Sequence, residues 1–585
     1  MKNFIKTLFA SMLGCFIVLG IFFLMIFAGL ASISLSSEKS YSLKDNTVLT
    51  LKLDGILQDR VEESNPFQEI IFGKGTTNLG LDDILSSIKK AKENDKIKGI
   101  YINVGTFHAS SASLKEIRNE LEDFKKSGKF IISYANIYTQ GAYYLSSVSD
   151  KVILNSKGML DLHGLSAEPT FYKGLLDKLG IEIQIFKVGT FKSAVEPFML
   201  DKMSDANREQ VTSYLNGVWS VILNDIADSR NISIEDLNSI ADEMPLLKKQ
   251  DYYLSKNLID TLMYETEVKN YLKTLVGVED VKDFNQASIS NMTTVPFVEK
   301  DKSDNVVAIL YAQGNITNGS GREGITDGFF VKEIEKLKDN DKVKAVVFRV
   351  NSGGGSASAS EQIWKAISDL KEKKPVVVSM GDYAASGGYY ISCNASKIIA
   401  QPNTLTGSIG IFGMFPNVKG LSDKFGLTYD NVKTNKFADF GDMTRPMRAD
   451  EKELMQRYIN DGYDLFLTRC AEGRGMHKDS LALIAEGRVW TGNQALKLGL
   501  VDAIGGIDVA VKEAAKLAEL TEYSTNGFPR KIDFFERLMN DQKEELSVRM
   551  MKEYLGEDYK LFQTIKDFKQ EDYMQARIPY GVRID

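Results

Sequence analysis

Residues 384–390 read AASGGYY, and residues 138–144, 246 positions earlier, read YTQGAYY. A serine followed by two glycines at a turn into a helix presents an open hydroxyl. The N–H of Gly387 and an N–H from the Gly353–Gly355 run are then available as oxyanion donors. Alone, SGG more often marks a tight turn whose serine caps a helix, because short motifs match by accident. The earlier copy has Gln140 in place of Ser386, yet it keeps Lys192, in KVGTFKSAVEPF, where the later copy has Ala438. These losses are complementary, so one surviving serine and one surviving lysine can form a single Ser/Lys pair across two halves. A lysine amine ordinarily titrates near 10.4, but desolvation in an apolar pocket lowers it by several units and makes it a general base. A lone lysine is usually a solvated surface group. The matching absence of serine in its own copy argues for chemistry instead.

The elements that must position these residues are themselves written twice. DKIKGIYINVGTFHASSASL (95–114) aligns with DKVKAVVFRVNSGGGSASAS (341–360), and KGLLDKLGIEIQIFKVGTFK (173–192) with KGLSDKFGLTYDNVKTNKFA (419–438), both at an offset of 246. LSKNLID (254–260) meets LKLGLVD (496–502) at 242. So long a period means duplicated domains rather than a solenoid of short repeats. In the second copy VVAILYA, VKAVVFRV, PVVVSM and SKIIA are strand candidates. Between them SASEQIWKAISDLKEK is predicted as a helix, with Ser358 and Glu361 as a capping box and Ile363, Ala366, Ile367 and Leu370 on one face. Strand, helix, strand implies right-handed crossovers, a mostly parallel sheet, and ligand sites at the carboxyl ends of strands. The Gly-rich segments NSGGGSAS and DYAASGGYY both follow strands. The polar stretch 283–305 reads as the seam, and a helix is expected near 533–555 in a charged tail.

Composition narrows the function classes. At 585 residues, 43% hydrophobic and 26% charged, the chain is a folded protein of two or more domains. A net charge of −7 without a basic block argues against nucleic acid as partner. Three scattered cysteines, Cys15, Cys393 and Cys470, make neither a disulfide framework nor a zinc site, so no metal and no cofactor are expected. Only His108, His163 and His477 could serve Ser/His/Asp chemistry. His108 falls opposite Gly354, in the copy that lacks the serine, and the other two show no acidic partner at a telling spacing. Residues 7–37 carry no charge and are long enough for a bilayer core of about 30 Å at about 1.5 Å per residue. A cleaved secretory signal is the alternative, but its apolar run is ordinarily about 7–15 residues. With Lys2 and Lys6 before the span, the positive-inside rule places residues 1–6 in the cytoplasm and the bulk of the chain outside.

VGTFKSAVEPF, RVNSGGGS, AASGGYYIS and TGSIGIFG, in that order, closely resemble the long, duplicated form of the bacterial signal peptide peptidase (protease IV) family. That resemblance implies tandem duplicated Clp-protease/crotonase-like α/β domains after an N-terminal transmembrane helix. The segments would be an anchor at 7–37, a lysine-supplying domain at 38–290, a serine-supplying domain at 291–519 and a tail at 520–585. It implies a membrane-anchored serine endopeptidase, a bowl-shaped homo-oligomer (a tetramer by that resemblance) on the outer face of the cytoplasmic (inner) membrane. Its substrates would be released signal peptides and other unfolded segments. Carried over by position, Ser386 is the nucleophile, Lys192 the base, Ser408 the hydroxyl that orients the amine, and Gly387 and Gly355 the oxyanion donors, with Gly354 a close alternative. One departure is NSGGGS, where the family commonly reads NSPGGS; without proline's fixed φ the loop loses rigidity. Two readings from other classes stand beside this one: a crotonase-like acyl-CoA enzyme, and a catalytically idle oligomeric membrane scaffold.

Overall fold

The computed structural model describes residues 41–61, 78–278, 283–297, 303–531 and 574–578, with parts of 4–21. Two mainly parallel sheets carry the fold. Across the first, the order is Asn78–Gly80, Thr47–Gln58, Ile97–His108, Phe130–Tyr138, Lys151–Leu160 and Thr261–Leu262, and Gln286–Ser288 also pairs with Thr47–Gln58. The second runs Val489–Thr491, Leu405–Gly407, Val376–Ala385, Val343–Ser352, Val306–Gln313 and Ser524–Phe528. There Lys397–Ala400 pairs with Val376–Ala385 and with Ala503–Ile504. Ile97 and Val343, Phe130 and Val376, and Lys151 and Lys397 open equivalent strands, as the 246-residue offset requires. Each half also carries a 26-residue helix, Asp205–Arg230 and Ala449–Arg474. The central strands are buried on both faces, Val376, Val377 and Val378 without exception, because helices cover the sheet on both sides.

The helix expected from SASEQIWKAISDLKEK spans Ala357–Lys371 and buries Ile363, Ile367 and Leu370. Its cap differs from expectation. Ser356 is the N-cap and accepts from the Ala359 N–H, which leaves Ser358 inside the first turn. Glu361 turns away to hold Arg469 at 2.7 Å and to accept from the Tyr390 hydroxyl at 2.6 Å. In the stretch expected as a seam, Gln286–Ser288 adds to the first sheet, and Ile289–Thr294 packs against the helix Leu81–Glu93.

A third, smaller sheet joins the halves. Its order is Ile325–Thr326, Ile316–Thr317, Gly354–Ser356, Gln575–Arg577, Phe412–Asn417 and Glu182–Lys187. Glu182–Lys187, from the first half, runs antiparallel to Phe412–Asn417, from the second, with Lys187 opposite Phe412. This pairing carries the chain that follows Lys187 into the second half. A buried ion cluster ties the same halves together: Arg349 reaches Asp59 at 3.1 Å and Glu116 at 2.8 Å, and all three are essentially inaccessible. Nearby, Asp382 accepts from both the N–H and the hydroxyl of Ser113. Burial pushes the Glu116 carboxyl up and the facing Arg349 pulls it back, while the guanidinium stays charged.

The expected transmembrane anchor is corrected. Among the described residues no helix is long and apolar enough to cross a membrane. A span needs about 20 residues; the residues described within 7–37 are 7, 11–14 and 16–21, all helical. The remainder of 7–37, most of the 1–6 segment and the helix expected near 533–555 lie outside the described residues. The transmembrane part of the fold class, the membrane-anchored form of the function, the membrane as partner and the single-pass inner-membrane location with most of the chain outside are withdrawn on that finding.

Candidate active site

Ser386 ends the strand Val376–Ala385 and caps the short helix Gly387–Tyr390. Its backbone has φ 55° and ψ −115°, a left-handed conformation that a residue with a Cβ adopts only under strain. Two bonds hold it there: its N–H donates to Gly407 O at 2.7 Å, and its carbonyl accepts from the Tyr390 N–H at 2.8 Å. The sharp turn aims Oγ away from the sheet edge and across the gap between the halves.

Lys192 approaches from the other half. It follows the bridging strand Glu182–Lys187, and the 486–488 turn receives it, with the Phe191 N–H donating to Glu486 O at 2.9 Å. Gly487, at φ +77°, lies so close that a Cβ there would come within 2.7 Å of the Lys192 backbone nitrogen. The side chain is 1% exposed. Its Nζ lies 2.6 Å from Ser386 Oγ and 3.1 Å from both the carbonyl and the hydroxyl oxygen of Ser408. Burial alone pulls this amine well below its ordinary value, since no carboxylate offsets the desolvation. A neutral amine at that distance is placed to accept a proton from the hydroxyl.

The backbone of the 354–355 glycines approaches that of Gly387. Gly354, at φ +99°, is a position where a Cβ would reach 2.7 Å from the Gly387 nitrogen, so only glycine keeps that approach open. The Gly354 N–H itself donates to Ser352 Oγ at 3.1 Å, whereas a Cβ on Gly387 would come to 3.1 Å from the Gly355 nitrogen. The expected residues Ser386, Lys192, Ser408, Gly387, Gly355 and Gly354 therefore share one place.

In the first copy Gln140 uses its amide differently. Its side-chain oxygen accepts from the N–H groups of His163 and Gly164, and its Nε2 donates to Gly164 O. A serine is thus replaced by a clasp on the adjacent loop. Ala438, the counterpart of Lys192, is exposed. His163 does have an acidic neighbour that its spacing did not announce, Asp161 at 2.8 Å, and His477 lies 3.5 Å from Asp479. Both histidine rings are exposed, and neither pair is among the groups that Ser386 bonds.

Two supporting residues were not singled out in the sequence, although Glu196 lies within VGTFKSAVEPF. Gln210, buried, donates to Phe191 O and Ser193 Oγ and accepts from the Val489 N–H, fixing the lysine segment on either side. Glu196, buried, accepts from Ser204 and Asn207 and closes the turn after Lys192. For Gln210 the available signal was a polar residue among the buried positions of the helix Asp205–Arg230, which is common in any large protein; for Glu196 it was membership of the VGTFKSAVEPF motif.

The sequence matches the model of peptidase family S49 over residues 123–279 and 368–521. Protease 4 of Haemophilus influenzae is 34% identical over 556 residues, covering 91% of this chain and 90% of that protein. Protease 4 of Salmonella typhi is 36% identical over 81% of this chain and 79% of its own. The chloroplastic serine protease SPPA of Arabidopsis thaliana is 31% identical over 82% of this chain and 70% of its own. Among solved structures, a ClpP1 mutant of Listeria monocytogenes matches 36% of this chain and 95% of its own at 17% identity, with a TM-score of 0.24 that carries no argument about the fold. On matches of this extent, the chain belongs to peptidase family S49 and is a serine protease of the Ser/Lys dyad type.

Proposed function

We propose that Ser386 is the nucleophile and Lys192 the general base of a peptidase that cleaves extended, unfolded polypeptide, released signal peptides among them. One observation carries the reading: a buried lysine without a carboxylate partner has its amine 2.6 Å from the hydroxyl of a strained serine. Neutral Lys192 takes the Ser386 proton, the alkoxide adds to the peptide carbonyl, and the N–H groups of Gly387 and Gly355 receive the oxyanion. The protonated lysine then gives its proton to the leaving amine, and water, deprotonated by the same lysine, releases the acyl group. Ser408 holds the amine on line through its carbonyl and hydroxyl. Gly354 is set aside as a donor because its N–H serves Ser352. The segments 38–290 and 291–519 each supply half of the centre, and a homo-oligomer is part of the same proposal.

A fluorophosphonate probe tests it. Labelling mapped to Ser386, lost in Ser386→Ala and in Lys192→Ala, is the expected result. A folded protein that takes no label at Ser386 returns the question to the idle scaffold or the acyl-CoA enzyme, neither of which needs a nucleophilic serine.

A further inference from the structure

A guanidinium stacked between two rings joins the halves beside the dyad. Arg488 follows the tight turn at Glu486 and Gly487, both left-handed, and its side chain lies between Phe191 and Trp490, 4.5 Å from each ring centre. Phe191 belongs to the first half and immediately precedes Lys192. The Arg488 Nε is buried and meets no hydrogen-bond acceptor among the described residues, so the ring faces hold it, as an aromatic quadrupole holds a cation. Its outer nitrogen reaches Glu209, also of the first half, at 2.8 Å. The main chain of the same residue serves the second half, because the Arg488 carbonyl accepts from the Ser408 N–H at 2.7 Å. Trp490 extends the connection: a Cβ on Gly407 would come to 2.9 Å from its ring, and Gly407 O accepts from the Ser386 N–H. The stack therefore touches the residue before the lysine, bonds Ser408 directly and reaches Ser386 through Gly407.

The duplication supplies an independent comparison. At the 242-residue offset of LSKNLID and LKLGLVD, the same turn recurs with Met244, at φ 54°, in the place of Glu486. There Leu246 stands for Arg488 and Lys248 for Trp490, so the turn is repeated but the stack is not. The stack belongs to the half that holds Ser386, where the lysine arrives. We propose that Arg488 is a positioning residue for the general base: stacked on Phe191 and Trp490, it clamps the lysine-bearing segment of the first half against the serine-bearing sheet of the second and keeps the Lys192 amine dry and on line. The inference rests on the reading of Lys192 as the base. A lysine at 488 does not replace the clamp, because an ammonium is a strongly hydrated point charge with no flat face to stack.

The test measures kcat and KM of the full chain on fluorescein-labelled casein, an unfolded polypeptide, across pH. Arg488→Gln should lower kcat by about 10- to 100-fold with KM unchanged, the scale of loss when a reacting group is displaced by about 1 Å. The rise of activity with pH should also move to higher pH, because water admitted beside Lys192 lifts its amine back toward the ordinary value. Arg488→Lys keeps the charge and should behave like Arg488→Gln on both counts; a wild-type profile there assigns the effect to charge alone and overturns the clamp. Phe191 gives a second route that spares the arginine. Phe191→Tyr keeps a ring face and should hold most of the activity, whereas Phe191→Leu, apolar but without a ring, should lose it. Equal activities for those two, a folded Arg488→Gln with wild-type kcat, or a fall in kcat with no movement of the pH rise each overturn the proposal. Lys192→Ala reports separately on the dyad: wild-type activity in that variant sinks the base assignment itself, while an inactive Lys192→Ala beside an unaffected Arg488→Gln removes the clamp alone.

Discussion

Lys192 and Ser386 stand 194 residues apart in the chain and 2.6 Å apart at their side-chain ends. Each comes from a different copy of the duplicated fold, and the strand pair Glu182–Lys187 with Phe412–Asn417 spans the distance between the copies. The alignment of the amine with the hydroxyl therefore depends on that sheet.

The amine sets the pH dependence of both rate and stability. Activity should rise with pH through the depressed lysine value and level off above it, and Lys192→Arg should be inactive, because guanidinium does not deprotonate in this range. For stability, the folded protein releases this proton at lower pH than the unfolded chain does. Between the depressed value and about 10.4 the unfolded chain holds the extra proton, so stability rises with pH. Lys192→Met should remove that slope, being more stable than wild type near neutrality and converging with it in base. Denaturation curves at several pH values decide; parallel profiles for the two proteins would mean that the amine is not desolvated.

Backbone strain at Ser386 predicts an ordering of inactive variants. At φ 55° a Cβ is unwelcome. Ser386→Gly should be more stable than Ser386→Ala by about 1 kcal/mol, the cost of one residue held in a sparse region. Equal stabilities would show that the turn is relaxed.

Ser408 contributes through its carbonyl and its hydroxyl, and only the second can be removed by substitution. Ser408→Ala should lower kcat by about 10- to 100-fold, the equivalent of a hydrogen bond to a charged group worth about 1.5–3 kcal/mol. KM should hold, and Ser408→Thr should recover part of the loss. A KM effect alone would place Ser408 in substrate binding.

If the dyad forms within one chain, Lys192→Ala and Ser386→Ala subunits cannot complement one another. Co-expressed and purified through two tags, mixed assemblies should show the activity of neither parent restored. Sites built between neighbouring chains in a head-to-tail ring would instead regenerate about a quarter of the centres.

Arg349 should be a structural rather than a chemical loss. Arg349→Met leaves Asp59 and Glu116 buried without their cation and should cost about 3–5 kcal/mol in stability. Replacing all three by apolar residues of similar size should recover most of it, measured by chemical denaturation alongside Ser386 labelling.

Much of this was written in the sequence because duplication leaves a ruler. The offset of 246 aligned strands, helices and the two depleted sites, so Ser386 against Gln140 and Lys192 against Ala438 could be read by subtraction. What escaped reading was short-range or singular. The helix cap fell on Ser356 instead of Ser358 because SASAS offers several equivalent starts and only tertiary packing chooses among them. Residues 574–578 have no counterpart in the first copy, and QARIP reads as nothing in particular. A three-residue strand is specified by the edges that receive it, here two antiparallel neighbours more than 150 residues upstream. The apolar run at 7–37 met the length criterion for a span, but among the described residues no helix is long and apolar enough to cross a membrane, and most of that run lies outside them.

The order of synthesis gives the divided dyad a further meaning. At about 5–20 residues per second, the ribosome makes Lys192 about 10–40 s before it makes Ser386. During that interval the lysine has no partner hydroxyl from Ser386. A chain released early contains no hydroxyl at the site, and a fragment begun late contains no base. Termination anywhere before residue 386 therefore leaves a chain without the paired groups.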